Sequence, residues 1–170
     1  MFQFILIDVS KSKALSAVGE PVMLLRSDHF EETYSVSVLV SIVLDEEPVF
    51  ITARVESNSQ TDFFAFLVQA CLEGTLKKGD ILICDNAPIH SGSETLEELV
   101  LYLKLKEVTL IFLPTYSPEL NPCELVFAQV KNYLRNYRDQ DLPLFADIAL
   151  AFAQVTNRNM INYYNKCCCS

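Results

Sequence analysis

The chain has 170 residues, of which 51% are hydrophobic, with only 4 Gly and 7 Pro. This composition is typical of one compact domain with a sizeable core, and it excludes a disordered or fibrous chain. The formal net charge of −9 argues against a free-standing DNA-binding protein, because neutralising phosphates requires clustered Lys and Arg.

The apolar segments do not suggest a membrane protein. Even Val36 to Leu44 is shorter than the roughly 20 helical residues that cross a bilayer. The N-terminal run from Met1 to Ile7 contains no basic residue and leads directly into Asp8, which does not fit a secretory signal. We therefore expect an intracellular protein without a transmembrane span.

The six cysteines form no CxxC pair and have no His at zinc-finger spacing, which argues against a structural zinc site. Cys71 and Cys84 lie in apolar segments and are predicted to be buried free thiols. The Cys triplet near the C-terminus predicts a frayed, disordered tail over residues 167–170, with lipidation as the alternative.

The first half of the chain is rich in predicted strands. Residues 2–7 form an apolar run that ends at Asp8, typical of a strand buried on both faces. Residues 34–44 and 49–55 surround an acidic turn and predict an antiparallel hairpin or meander. Apolar residues at helical spacing then predict a helix over 61–72, with cap candidates at Asn58, Ser59 and Thr61.

The second half alternates strands and helices. Residues 80–84 predict a strand ending at Asp85, 93–106 a helix, and 108–113 a further strand. Asn121-Pro122 opens a helix to about Arg138, and a last helix is predicted over 144–164. The order predicts an α/β fold, with a mixed sheet flanked by helices and strand-end acids converging at one edge.

Two acids on this predicted edge have both a functional and a structural interpretation. An ionised Asp85 after a buried strand needs water, a partner or a metal, yet Asp85 with Asn86 could simply cap a turn. Glu124 stands three residues after Asn121, so a capping box could explain it. The three prolines in residues 113–122 hold this helix start rigidly, which suits the placing of a ligand.

The segments CDNAPIH (84–90) and LPTYSPELNPCE (113–124) together resemble the DNAxxH and LPxYSPxLNPxE signatures of mariner-like DDE transposases. The resemblance implies a ribonuclease-H-like catalytic core over residues 1–166. It covers most of the chain, because the preceding strands and the Phe-rich helix follow in the family's order. The chain begins almost at the first catalytic strand, so the family's N-terminal DNA-binding domain is expected to be absent.

The resemblance implies that Asp8, Asp85 and Glu124 are the catalytic, metal-holding acids. The strand-end position favours Asp8 as the first of them, with Asp28 and Asp45 as alternatives. Three carboxylates suit hard Mg²⁺ or Mn²⁺, and two such ions can clamp the attacking and leaving oxygens of a phosphodiester.

Supporting residues follow from the same motifs. Asn86 could orient Asp85, and His90 matches the family's histidine, although a structural role is equally open for it. Tyr116 and Ser117 could touch DNA phosphates or merely shape the turn. One face of the helix predicted from Asn121-Pro122 to about Arg138 is basic and consists of Lys131, Arg135 and Arg138. It could contact the DNA backbone or be a solvated surface.

The leading hypothesis is a metal-dependent DNA endonuclease and strand-transferase core. Its partners would be transposon ends and target DNA, bound with the help of a separate DNA-binding module, and the resemblance also allows a homodimer. A location in the nucleus, or in a bacterial nucleoid, is implied. The alternative is a truncated, non-catalytic transposase remnant acting through protein contacts, which the acidity favours. An RNA-cleaving enzyme of the same fold ranks last.

Overall fold

The structure is a computed structural model, and the fold is taken from the parts of the chain that it describes. Side chains are described throughout these parts except at residues 7, 8, 93 and 94. No helix among these residues is both long and apolar enough to span a bilayer. The described ranges are 7–8, 34–55, 58–85, 93–115, 117–139 and 141–168.

The strands within the described ranges form two small sheets. β2 pairs in antiparallel fashion with β1 on one side and β3 on the other, with Val38 opposite Ile51, so the predicted hairpin is confirmed. β4 and β5 are parallel and have Ile83 opposite Ile111. The strands are β1 (Ile7–Asp8), β2 (Ser35–Val40), β3 (Val49–Arg54), β4 (Ile81–Cys84) and β5 (Thr109–Phe112).

Five α-helices and a 3₁₀ turn complete the described fold. The Ser59 side chain accepts a hydrogen bond from the backbone N–H of Asp62, which confirms one of the three predicted caps at this helix start. The helices are α1 (Gln60–Leu72), α2 (Ser93–Leu105), α3 (Pro122–Tyr137), α4 (Leu144–Ala153) and α5 (Asn157–Cys168), with the 3₁₀ turn at Pro118–Leu120.

The prediction of one continuous last helix over 144–164 is wrong, because the chain breaks between α4 and α5. Thr156 caps α5: its hydroxyl donates to Asn159 Oδ1 over 2.7 Å, and the Asn159 N–H donates back to Thr156 Oγ1 over 3.2 Å. This reciprocal cap ends one helix and begins another. The Thr-x-x-Asn spacing was therefore a sequence signal for the break.

Two predictions about cysteines also need correction. α5 continues through Cys168 into the expected tail, and Cys167 is buried, because the end of this helix packs on the core. Cys84 is buried as predicted, whereas Cys71 is only partly buried because it packs at the margin of the core around α1.

The side chains of β2 pack into two hydrophobic cores. Val36, Val38 and Val40 pack with the apolar faces of α3, α4 and α5. Leu39 belongs to the second core, together with apolar residues of α1, β4 and α2. Because side chains alternate along a strand, one six-residue segment contributes to a core on each of its faces. The result is an α/β fold of small sheets flanked by helices, the fold class that the sequence predicts.

Replacing Leu39 by Ala should destabilise the protein by about 2 to 5 kcal/mol, because Leu39 is only 1% exposed and its loss leaves a cavity. Leu44→Ala is the matched control. That side chain is 64% exposed, and its replacement should change the stability by no more than about 0.5 kcal/mol. Urea unfolding of both variants measures the difference, and equal effects would contradict the described core.

Candidate active site

Asp85 directly follows β4, whose Leu82 and Cys84 side chains are fully buried. The Cys84 carbonyl accepts a hydrogen bond from the Leu113 N–H over 2.7 Å. This bond extends the pairing of β4 and β5 to the point where the chain leaves β5 toward α3. It therefore holds Asp85 at the carboxyl edge of the parallel pair, where ligand sites of α/β sheets lie.

Glu124 lies in the first turn of α3, and a buried cap fixes the start of that helix. The Asn121 side chain accepts from the Cys123 N–H over 3.1 Å. The backbone N–H of Asn121, which a capping box would pair with Glu124, donates instead to the Pro118 carbonyl over 3.1 Å. Capping therefore does not account for the Glu124 carboxylate, which leaves its oxygens for another role.

Glu124 and Asp85 interact electrostatically. Partial burial of the carboxyl raises the pKa of Glu124 above its ordinary value, the nearby Lys131 lowers it, and the negative charge of Asp85 raises it. Burial also raises the pKa of the Cys123 thiol, and the charges of Asp85 and Glu124 add to that shift. The acid after β4 and the acid of α3, 39 positions apart in the sequence, therefore lie within electrostatic range of each other.

This arrangement fits a divalent cation. Two carboxylates that repel each other provide hard oxygen donors and gain from a positive charge placed between them. Among the described side chains, no group of three His, Cys, Asp or Glu residues is arranged to hold a metal ion. The predicted third acid, Asp8, lies in β1 opposite Ser35, and its side chain is not among those described.

The remaining predicted site residues are distributed as follows. Asp45, one alternative to Asp8, is exposed in the turn between β2 and β3. Ser117 lies immediately before the 3₁₀ turn and is partly buried. The other predicted residues lie outside the described ranges, namely Asp28, Asn86, His90 and Tyr116.

The predicted basic face is divided in the structure. Lys131 and Arg135 are exposed on α3, but α3 ends at Tyr137, and Arg138 follows with extended backbone. Arg138 Nε lies 3.5 Å from Oδ2 of Asp147, whose side chain is 2% exposed. Arg138 therefore does not continue the helical face, because it forms an ion pair with the first turn of α4.

Sequence reasoning missed two of these interactions. Lys131 was interpreted as a DNA contact or part of a solvated surface, although its spacing of seven from Glu124 places both on one face of the helix and could have indicated their attraction. The ion pair of the buried Asp147 could not be predicted in this way. In the sequence, Asp147 is simply an acidic residue within an apolar helix.

Small sheets flanked by helices, with an acid directly after a strand of the parallel pair, are typical of ribonuclease-H-like cores. The sequence profile of the DDE superfamily endonuclease family matches residues 4–142. The chain belongs to that family. The resemblance to mariner-like transposases drawn from the sequence motifs is thereby confirmed.

Solved structures agree on the fold. A pre-cleavage Mos1 transpososome matches with a TM-score of 0.62 at 17% identity, covering 96% of this chain and 50% of that chain. The Mos1 mariner paired end complex with Mn gives 0.62 at 15% identity, with the same coverage. The catalytic domain of Mos1 mariner transposase gives 0.57 at 15% identity, covering 79% of this chain and 69% of that one. No curated protein matches the sequence.

The chain spans about half the length of the Mos1 chains in those complexes. At these identities the likeness establishes the ribonuclease-H-like fold of transposase and integrase catalytic cores.

Asp85→Asn should lower the pKa of Glu124, because one repelling charge is removed. Lys131→Met should raise the same pKa, because an attracting charge is lost. NMR titration of the Glu124 carboxyl carbon in metal-free buffer measures both shifts. Asp45→Asn is the control, since this exposed turn residue should leave the Glu124 titration unchanged. An unchanged pKa in Asp85→Asn would show that the two acids do not interact.

Proposed function

We propose that this chain is a metal-dependent DNA-cleaving and strand-transferring core. The proposal is carried by the positions of Asp85, directly after β4, and of Glu124, in the first turn of α3, where the negative charge of Asp85 raises the pKa of Glu124. Membership of the DDE superfamily endonuclease family supports phosphodiester chemistry at this site. The Glu124 carboxylate takes no part in capping α3, which further supports its proposed role as a metal ligand.

Mg²⁺ or Mn²⁺ is the proposed cofactor, held by Asp85 and Glu124 together with Asp8. A pair of such ions would supply charge for aligning a phosphodiester and for stabilising its leaving oxygen. One solved Mos1 mariner complex contains Mn, which supports the choice of cation. The number of ions, two, follows from the chemistry of phosphodiester cleavage and is part of the proposal.

The residues of the chain itself provide the rigidity that such a site needs. The Asn121 cap and its bond to Pro118 hold the first turn of α3, and with it the backbone of Glu124. The buried Cys84 and Cys123 precede the two acids in the chain and pack in the core, keeping that side of the site dry. Charges at the edge of such a dry region interact more strongly than in water.

DNA is the proposed substrate and partner. Solved neighbours include a Mos1 transposase paired-end complex with the left transposon end, which supports DNA as the ligand of this fold. On the present chain, Lys131 and Arg135 are exposed on the helix that carries Glu124. With a net charge of −9, we infer that a separate basic module supplies most of the DNA affinity.

Nicking of supercoiled plasmid in Mg²⁺ or Mn²⁺ tests the activity. Asp85→Asn and Glu124→Gln should each lower the nicking rate by at least about a hundredfold, because each removes a charge that the site requires. Glu119→Gln, an exposed acid five residues before Glu124, is the matched control and should retain the rate.

Thermal unfolding with and without metal gives a second measurement. A cation at one hundred times its Kd should stabilise the protein by about 2.7 kcal/mol, and the two site variants should lose that gain. The absence of both nicking and metal-induced stabilisation would contradict the proposal. It would favour a non-catalytic remnant that keeps the fold, the function that the acidic composition also fits.

Lys131→Ala combined with Arg135→Ala should weaken DNA binding and reduce its salt dependence. The slope of log K against log salt should fall by about 0.9 for each duplex phosphate contact that is lost. Fluorescence anisotropy with a labelled duplex across a salt series measures the slope. Lys106→Ala, which removes an exposed lysine from the end of α2, should leave it unchanged.

A further inference from the structure

Strand β5 forms an outer edge of the parallel pair. Every second residue donates toward β4: the Thr109 N–H bonds to the Asp80 carbonyl over 2.9 Å, and the Leu113 N–H bonds to the last carbonyl of β4 over 2.7 Å. Because peptide groups alternate in direction along a strand, the N–H and C=O groups of Leu110 and Phe112 point away from β4. Among the described residues β5 pairs with β4 alone, so this edge presents donors and acceptors without a strand partner.

This edge lacks the features that usually prevent the addition of a strand. Proteins protect exposed edges with charged residues, prolines or bulges. Residues 108–113 read VTLIFL and include no charged residue and no proline. The backbone of β5 is therefore open to pairing with an extended peptide, a mode of recognition in which main-chain bonds give affinity and side-chain pockets give specificity.

A groove of about 430 Å³ lies beside this edge, between α2 and β5. Its apolar lining includes Val100, which is 45% exposed, and the side chains of Leu110 and Phe112. In an added antiparallel strand, a residue opposite Leu110 or Phe112 points its side chain to the same face, because directly paired residues share a face. Every second side chain of the added strand therefore enters the groove.

Lys104 gives the groove a positive charge. It lines the groove together with Glu107, but Glu107 already pairs with Lys78 over 2.7 Å. No acid pairs with Lys104 among the side chains that the structure describes. Because α2 leads into β5 through a short turn, Lys104 lies near the start of β5 and Val100 farther along it. An acidic side chain toward the C-terminal end of an antiparallel segment therefore meets Lys104.

We propose that β5 and this groove bind an extended peptide segment of a partner protein, which adds an antiparallel strand to the outer edge of β5. The segment has apolar residues at alternate positions and an acidic residue opposite Lys104. Nucleic acid does not fit this edge, because it has no peptide groups to pair with Leu110 and Phe112. β5 has only 4 residues, so the contact is small and the complex is weak and reversible. Neither Asp85 nor Glu124 lines the groove, so this inference is independent of the proposed nuclease activity.

A fluorescein-labelled peptide with the sequence Thr-Val-Thr-Val-Thr-Asp-Thr is the probe for strand addition. Fluorescence anisotropy with the full chain should show saturable binding with a Kd below about 1 mM, the range of a small contact. N-methylation of the valines, whose N–H groups face β5, should weaken binding at least about tenfold. N-methylation of the inner threonines is the matched control, because their N–H groups face away from β5, and it should leave the affinity unchanged.

Charge reversal at Lys104 tests whether the probe lies in the groove. Lys104→Glu should weaken binding at least about tenfold, because like charges then meet, and a probe with Lys in place of Asp should recover it. Lys106→Glu is the matched control. This lysine lies over the Tyr102 ring and does not line the groove, so its reversal should leave the affinity unchanged.

Amide hydrogen exchange locates the probe on the backbone. Saturating probe should slow exchange at Leu110 and Phe112 and leave the exposed Leu44 unchanged. A probe that fails to bind, or one that binds equally well with methylated valines, would overturn the proposal. Slow exchange at Leu110 and Phe112 without peptide would do the same, because the edge would then already be paired. Circular dichroism melting controls for the folding of Lys104→Glu, and plasmid nicking is measured separately.

Discussion

The described fold depends on the burial of both faces of strand β2. Its valines at alternating positions hold α3, α4 and α5, while Leu39 between them holds α1, α2 and β4. Two polar residues on the Leu39 face are also buried, and each makes a hydrogen bond: Ser37 accepts from Asn58, and Ser41 donates to Glu46. Because a shift by one residue would exchange the two faces, β2 fixes its own register and, through it, the positions of the helices.

The candidate site is a consequence of that two-sided packing. β4, which leads to Asp85, belongs to the core around Leu39, whereas α3, which carries Glu124, belongs to the core on the valine face. The two acids therefore come from elements that pack in two different cores. Neither core alone would position a site, so the stability of the fold and the geometry of the site rest on the same strand.

Part of the charge of the chain is used in ion pairs between its own side chains. Among them are Lys77 with Glu46 at 2.6 Å, Lys78 with Glu107 at 2.7 Å and Arg138 with Asp147. The two exposed lysine pairs add little stability, and all three pairs remove basic groups from the surface available to DNA. These pairs fit the proposal that a separate basic module supplies most of the DNA affinity.

The sequence by itself determined the element types, the hairpin, the strand that ends at Asp85 and the Asn121 cap, because these depend on local periodicity and on Pro and Asn at helix starts. Its two motifs were also sufficient to indicate the family. Tertiary structure alone decided that Cys167 is buried and that Arg138 pairs with Asp147. It also decided that Glu124 lies within electrostatic range of Asp85 and takes no part in capping. These features depend on contacts between segments far apart in the chain, and local pattern carries no information about which distant groups will meet.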